Sequence, residues 1–232
     1  MIALLAATLS LAVVSSDLDR RGADLYAVNC VTCHGADLGG TANGPSLQGV
    51  GADALDFYLS TGRMPLEVPG TEPLPAPPLF GREQISALIA YVLAHGGDAN
   101  AQIPQVRASD DLARGRVLFE ENCQACHGAR GDGAVTGFGW IAPPLNPDDP
   151  TQVAEAVRIG PGIMPRFGPH EIDGGDLDAL VAYVVSLRKP PDAGGFSVGS
   201  AGPVGEGLFA WIFGVGGGIL LMLLVGETLK RT

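Results

Sequence analysis

The 232-residue chain predicts an all-α fold: two small tandem domains followed by one C-terminal transmembrane helix. Three observations carry this expectation. The first is an internal repeat, in which Gly22-x-x-Leu25-Tyr26-x-x-Asn29-Cys30 matches Gly115-x-x-Leu118-Phe119-x-x-Asn122-Cys123 position for position. A repeat of this period makes two domains rather than a solenoid, whose units are shorter. The second is that each half closes on a similar apolar helix, from Ile85 to Val92 and from Leu177 to Val184. The third is a run of 20 uncharged residues, Gly207 to Gly226, bracketed by Glu206 and Glu227. As a helix it spans about 30 Å, the thickness of a bilayer core.

Taken in chain order, residues 1–16 read as a signal peptide or N-terminal anchor. The apolar run Ile2–Val14 ends on the small residues Ser15-Ser16 but lacks the basic start of a Sec-type signal. Residues 17–97 form domain 1, 98–109 a linker within the weakly structured stretch from Gly96 to Asp111, and 110–190 domain 2. Within domain 1, the six prolines from Pro65 to Pro78 predict a stiff, extended loop. A second linker, 191–206, leads to the transmembrane helix 207–226 and a tail, 227–232. Lys230 and Arg231 place that tail in the cytoplasm and both domains outside. Gly214 and Gly218, one turn apart, give the helix a small-residue face for close contact with another helix.

The chemistry lies in two copies of one motif, Cys30-Val31-Thr32-Cys33-His34 and Cys123-Gln124-Ala125-Cys126-His127. C-x-x-C-H is the attachment signature of c-type haem: both thiols form thioethers and the histidine becomes the proximal iron ligand. The two motifs use all 4 cysteines, so no thiol remains for a structural disulfide or a nucleophile. A zinc site would gather four converging ligands, and a thioredoxin-type motif would not need the adjacent histidine. Two covalent haems are therefore expected, bound through Cys30, Cys33, Cys123 and Cys126, with His34 and His127 on iron.

Each half also holds a single methionine, and each is followed by proline: Met64-Pro65 and Met164-Pro165. They stand 30 residues after His34 and 37 after His127. A lone methionine usually fills a core gap. Two in matching places read instead as distal thioether ligands, which raise the potential and close the iron to outside ligands. His95 and His170 have no counterpart in the other half and read as surface or helix-end residues. Arg63 and Arg166, beside the methionines, read either as partners of haem propionates or as solvated loop residues.

With these residues in view, 17–189 resembles class I cytochrome c domains, haem-wrapping helical folds whose N- and C-terminal helices cross. That resemblance implies that Gly22 and Tyr26 meet Tyr91 at one crossing, and Gly115 and Phe119 meet Tyr183 at the other. It also implies that the Pro45 and Pro143 carbonyls accept the N–H of the proximal imidazoles. Two such domains and one C-terminal membrane helix resemble the dihaem cytochrome c subunit of actinobacterial-type cytochrome bcc complexes. The runs Ser60-Thr61-Gly62-Arg63-Met64-Pro65, Gly44 to Gly51, and Gly202 to Gly207 strengthen that likeness. The family implies an electron-transfer subunit of a quinol–cytochrome c reductase, working with cytochrome b and Rieske iron–sulfur subunits and a terminal aa3-type oxidase. No substrate chemistry is expected in this chain alone. The alternative is a membrane-anchored dihaem carrier for another dehydrogenase or oxidase. A net charge of −11 argues against nucleic acid as a partner.

Overall fold

The computed structural model describes residues 17–145, 149–188 and 207–229. They fall into two units, Met1–Lys189 and Pro190–Thr232. The expected leader 1–16, the linker 191–206 and residues 230–232 of the tail lie outside the described residues.

The first half of the larger unit is built from α1 (17–29), α2 (Val31–His34), α3 (Ala52–Ser60) and α4 (Arg82–His95). Helices α1 and α4 touch at Gly22, where a Cβ would stand 2.1 Å from the Ala87 carbonyl oxygen and 2.6 Å from Tyr91 Cβ. Only glycine permits that approach. The Tyr26 ring then lies 5.2 Å from Tyr91, and the Tyr26 hydroxyl donates to the Gly35 carbonyl at 2.7 Å. Beneath the crossing, Leu38, Leu55, Ile85, Leu88 and Val92 close the core. Each such side chain, once buried, contributes about 1.5–3 kcal/mol.

The second half repeats the plan with α5 (Leu112–Asn122), α6 (Gln124–His127), α7 (Pro150–Ile159) and α8 (Gly174–Ser186). A Cβ on Gly115 would meet the Ala179 carbonyl oxygen at 2.1 Å and Tyr183 Cβ at 2.8 Å. Phe119 and Tyr183 pack at 5.6 Å. The helix starts here are well marked. Asp111, Asp149 and Asp173 each accept a backbone N–H at the N-cap, and Gln152 returns the bond to Asp149. The half contains one feature the repeat does not announce: a hairpin of two-residue strands, β1 (Ala134–Val135) and β2 (Ile141–Ala142), paired Ala134↔Ala142 and Val135↔Ile141.

The segment joining the halves runs from α4 to α5. It forms no helix or strand, yet both ends are tied down. Asp98 N–H donates to the Val50 carbonyl at 3.0 Å, and Ala52 N–H donates to the Ala101 carbonyl at 2.8 Å. Ala52 is the first residue of α3, so its amide has no partner within the helix and the linker supplies one. At the far end, Arg107 donates from its backbone N and its Nε to Asp178 on α8, at 2.9 and 3.0 Å. The halves also touch directly, α3 against α7, with Gln152 Nε2 donating to Ser60 Oγ at 3.1 Å.

The second unit contains a single described helix, α9 (207–229). Its backbone widens to i→i+5 bonding over Trp211–Gly216. Gly207–Glu227 has a mean hydropathy of 2.4, long and apolar enough to cross a membrane. Leu208, Trp211, Ile219, Leu221 and Leu223 are all more than half exposed. A helix that carries large apolar side chains along its whole length suits lipid.

Candidate haem sites

Both C-x-x-C-H motifs are displayed the same way. Helix α1 ends with Cys30 N–H donating to the Tyr26 carbonyl, and α2 follows as a single turn. Within that turn Cys33 and His34 both donate backbone N–H to the Cys30 carbonyl, at 3.1 and 2.9 Å. Residues i, i+3 and i+4 of a helix share one face, so two thiols and one imidazole gather on one side. Cys123, Cys126 and His127 repeat this at 3.2 and 2.9 Å. A glycine then reverses the chain, Gly35 and Gly128, each at φ 76°.

That reversal brings a proline carbonyl under each ring. His34 Nδ1 lies 2.8 Å from the Pro45 carbonyl oxygen, and His127 Nδ1 lies 3.0 Å from that of Pro143. A carbonyl only accepts, so each Nδ1 carries the proton and each Nε2 presents a free lone pair. This is how a metal-ligating imidazole is oriented and made more basic.

In domain 1 a cavity of about 700 Å³ opens above the motif, lined by Cys30, His34, Tyr58, Leu59, Met64 and Val92 among others. Cys33 lines an adjoining recess that also reaches His34 and Met64. Ligand and cofactor pockets run at roughly 300–1,000 Å³ with mostly apolar walls. An imidazole and a thioether facing one such space, with two thiols at its edge, fit an iron porphyrin. Met64 is held by its own N–H donating to the Tyr58 carbonyl at 3.0 Å. In domain 2, Cys123 and His127 are buried, Cys126 is exposed, and Met164 packs half-buried against the core cluster that includes Cys123. Its loop is tied back to α7 by Phe167 N–H donating to the Val157 carbonyl at 2.9 Å. Arg158 Nη1 adds bonds to the Phe167 and Ile172 carbonyls at 3.0 and 2.8 Å.

Burial, with Cys33 alongside, pushes the Cys30 thiol up to about 11, and burial beside Cys126 does the same to Cys123. Nucleophilic and metal-binding cysteines need the opposite shift. Of the residues outside the motifs, Arg63 is buried with its guanidinium 4.6 Å over the Phe57 ring, whereas Arg166 is exposed. His95 ends α4, its ring tilted against Tyr91 at 4.3 Å and 3.5 Å from Asp19; His170 sits exposed in a turn. Neither belongs to the cavity. Sequence reasoning missed Leu38, which adopts φ 62° and is buried beneath the reversal. It also missed the buried Asp56 and Glu155 between the domains. The available signal was a charged residue on an apolar helix face, Glu155 among Val153, Ala154 and Val157.

Comparison with known proteins agrees with this geometry. The family described as Cytochrome c matches residues 20–96, and that described as Cytochrome C oxidase, cbb3-type, subunit III matches 110–184. The chain thus has two cytochrome c domains, which imply covalently bound haem c. Among whole-chain relatives is the cytochrome bc1 complex cytochrome c subunit of Mycobacterium tuberculosis. It is 38% identical, across 91% of this chain and 79% of the relative. The subunit of the same name from Mycobacterium leprae is 37% identical over 91% and 76%. That from Corynebacterium efficiens is 36% identical over 84% and 71%.

Proposed function

The chain belongs to the family of cytochrome c subunits of the cytochrome bc1 complex, and from that premise we propose that it is the dihaem electron-transfer subunit of a quinol–cytochrome c reductase. It takes electrons from a Rieske iron–sulfur protein and delivers them to a terminal aa3-type oxidase, standing in for a diffusible cytochrome c. Its immediate partners are the cytochrome b and Rieske subunits. The chain is membrane-anchored through α9, with its two haem domains on the extracytoplasmic side and its C-terminus in the cytoplasm.

The observation that carries this reading is the duplicated imidazole–carbonyl pair, His34 with Pro45 and His127 with Pro143, each set against a C-x-x-C turn. Cys30 and Cys33 would hold one haem and Cys123 and Cys126 the other. His34 with Met64, and His127 with Met164, would ligate the two irons. Each bound haem supplies a one-electron iron couple. The chain's own residues do the rest. The Pro45 and Pro143 carbonyls fix the tautomer and plane of each imidazole, and the thioethers of Met64 and Met164 exclude water and small ligands. Apolar walls such as Leu59 and Val92 lower the local dielectric around the centre. With iron held by these imidazoles and thioethers, the chemistry supplied would be outer-sphere electron transfer.

The test is gentle detergent purification through a tag on this chain, followed by a reduced-minus-oxidised spectrum. Haem b and haem a co-purifying with haem c are expected. Two haems c per chain with neither b nor a would instead favour an independent membrane-anchored carrier. The ligand assignment has its own check. Met64→Leu should open one site per chain to carbon monoxide in the reduced protein, and an unchanged spectrum removes Met64 from the set.

A further inference from the structure

The contact between α3 and α7 holds an arrangement that the haem sites do not use. Glu155, on α7, has no exposed surface, and Asp56, on α3, is 2% exposed. Neither Glu155 oxygen meets an N–H or O–H donor. The group beside them is the Asp56 carboxylate, itself held by Arg82 Nη1 of α4 at 2.5 Å. Two carboxylates cannot lie together out of water with both ionised; one must carry a proton, and that proton then bridges them. Burial, followed by the charge of Asp56, pushes the Glu155 carboxyl up to about 9. Asp149 at the α7 N-cap pushes the same way and Arg82 opposes. One turn along each helix, Gln152 reaches Ser60. The two links advance in opposite directions along α3 and α7, so together they fix both the spacing and the rotation of one helix on the other.

We propose that Glu155 is a positioning residue for electron transfer between the two domains: as a neutral carboxyl it donates its proton to Asp56 across the α3–α7 contact and locks the domains in one geometry. Tunnelling falls off exponentially with distance, so a carrier with two redox centres transfers at a defined rate only when their separation is fixed. The linker bonds at Val50, Ala52 and Asp178 restrain the chain between the domains, and the Glu155–Asp56 proton closes the interface itself. The cost is pH sensitivity. When the interface opens, Glu155 meets water and regains an ordinary carboxyl pKa of roughly 4.3. Between that value and about 9 the closed form holds one more proton than the open form, so closure weakens as pH rises.

The experiment uses the full haem-loaded chain in detergent, as wild type and Glu155→Gln. Glutamine keeps a neutral donor toward Asp56 and has no proton to lose. Amide hydrogen exchange, corrected for intrinsic rates, is followed from about pH 5.5 to about 8.5. Protection of α3 and α7 amides in the wild type should fall by up to about tenfold per pH unit, while Glu155→Gln stays flat. The α5–α8 amides, internal to domain 2, should stay flat in both. A flat wild-type profile, or the same slope in Glu155→Gln, overturns the proposal. The infrared C=O band of a protonated carboxyl should be present in the wild type at neutral pH and absent in Glu155→Gln; its absence from the wild type also overturns it. In the same preparations, inter-haem electron exchange should slow with rising pH in the wild type only. None of these readouts depends on which proteins flank the chain in respiration.

Discussion

The two cytochrome domains follow one path for six residues beyond the proximal histidine and then part. Gly35 and Gly128 share φ 76°, Leu38 and Gly131 lie at 62° and 68°, and Gly40 and Gly133 at 84° and 80°. The hydrogen bonds follow suit: Gly40 N–H to the His34 carbonyl at 2.8 Å, Gly133 N–H to that of His127 at 3.0 Å. After that, domain 1 reaches its proline 11 residues beyond the histidine and domain 2 takes 16, the extra length forming the β1–β2 hairpin. The imidazole contact survives because the insertion falls between two fixed points rather than inside either. At the fourth position past the histidine the domains solve one problem in two ways. A left-handed residue is needed there. Domain 1 spends a leucine, accepting about 1–2 kcal/mol of backbone strain to place a side chain in its core. Domain 2 uses glycine, and Leu145 and Leu187 come within 3.5 Å of where a Cβ would stand.

The equivalence of the helix crossings can be broken most severely. Gly22→Ala and Gly115→Ala each drive a Cβ to 2.1 Å from a backbone oxygen. Each should cost about 3 kcal/mol and lower covalent haem content, read by thermal unfolding and haem stain. Tolerance at one crossing alone would show that the two are not the same joint. The left-handed position sharpens the contrast at intermediate size. Leu38→Gly removes the strain but empties a core site worth about 2–5 kcal/mol, for a net loss of about 2 kcal/mol. Gly131→Ala meets nothing nearer than 3.5 Å, so only conformation opposes it, at about 1 kcal/mol. Denaturant midpoints of the full chain distinguish these; equal losses would contradict the two-solutions account. The smallest effect belongs to the surface ties. Domain 2 joins α5 to α8 through Arg114, whose Nε and Nη2 donate to Asp176 at 2.8 and 2.5 Å, while in domain 1 His95 of α4 lies 3.5 Å from Asp19 of α1. The hydrogen bond from Arg114 holds the Asp176 carboxyl below its usual range. Its contribution is complete above the ordinary carboxylate pKa and is lost as pH falls through the lowered one. Asp176→Asn should flatten that acid limb slightly, seen by comparing unfolding midpoints at about pH 3 and about pH 6. Solvent screening keeps the change small.

Much of the site was legible because its determinants are local in sequence. Cysteines at i and i+3 with histidine at i+4 need only one helical turn to converge, and the repeated Gly22/Tyr26 and Gly115/Phe119 pairs announce two crossings. The 20-residue uncharged run needs only its length and composition to mark a spanning helix. The hairpin escaped because its strands are two residues long, too short for alternation to register. The linker looked loose because its composition is weak. Its order comes from partners elsewhere in the chain, the unsatisfied amide of Ala52 and the carboxylate of Asp178.

By itself, then, the sequence determined that there are two cytochrome c domains and where each C-x-x-C-H motif lies, since that pattern is written in residue types a few positions apart. Helix α9, as a candidate span, was equally written there. Tertiary structure alone decided how the two domains meet. Asp56 and Glu155 are 99 positions apart and unremarkable in composition. They become a proton-sharing pair only because α3 and α7 exclude water around them, and desolvation is a property of the assembled interface that no local pattern encodes.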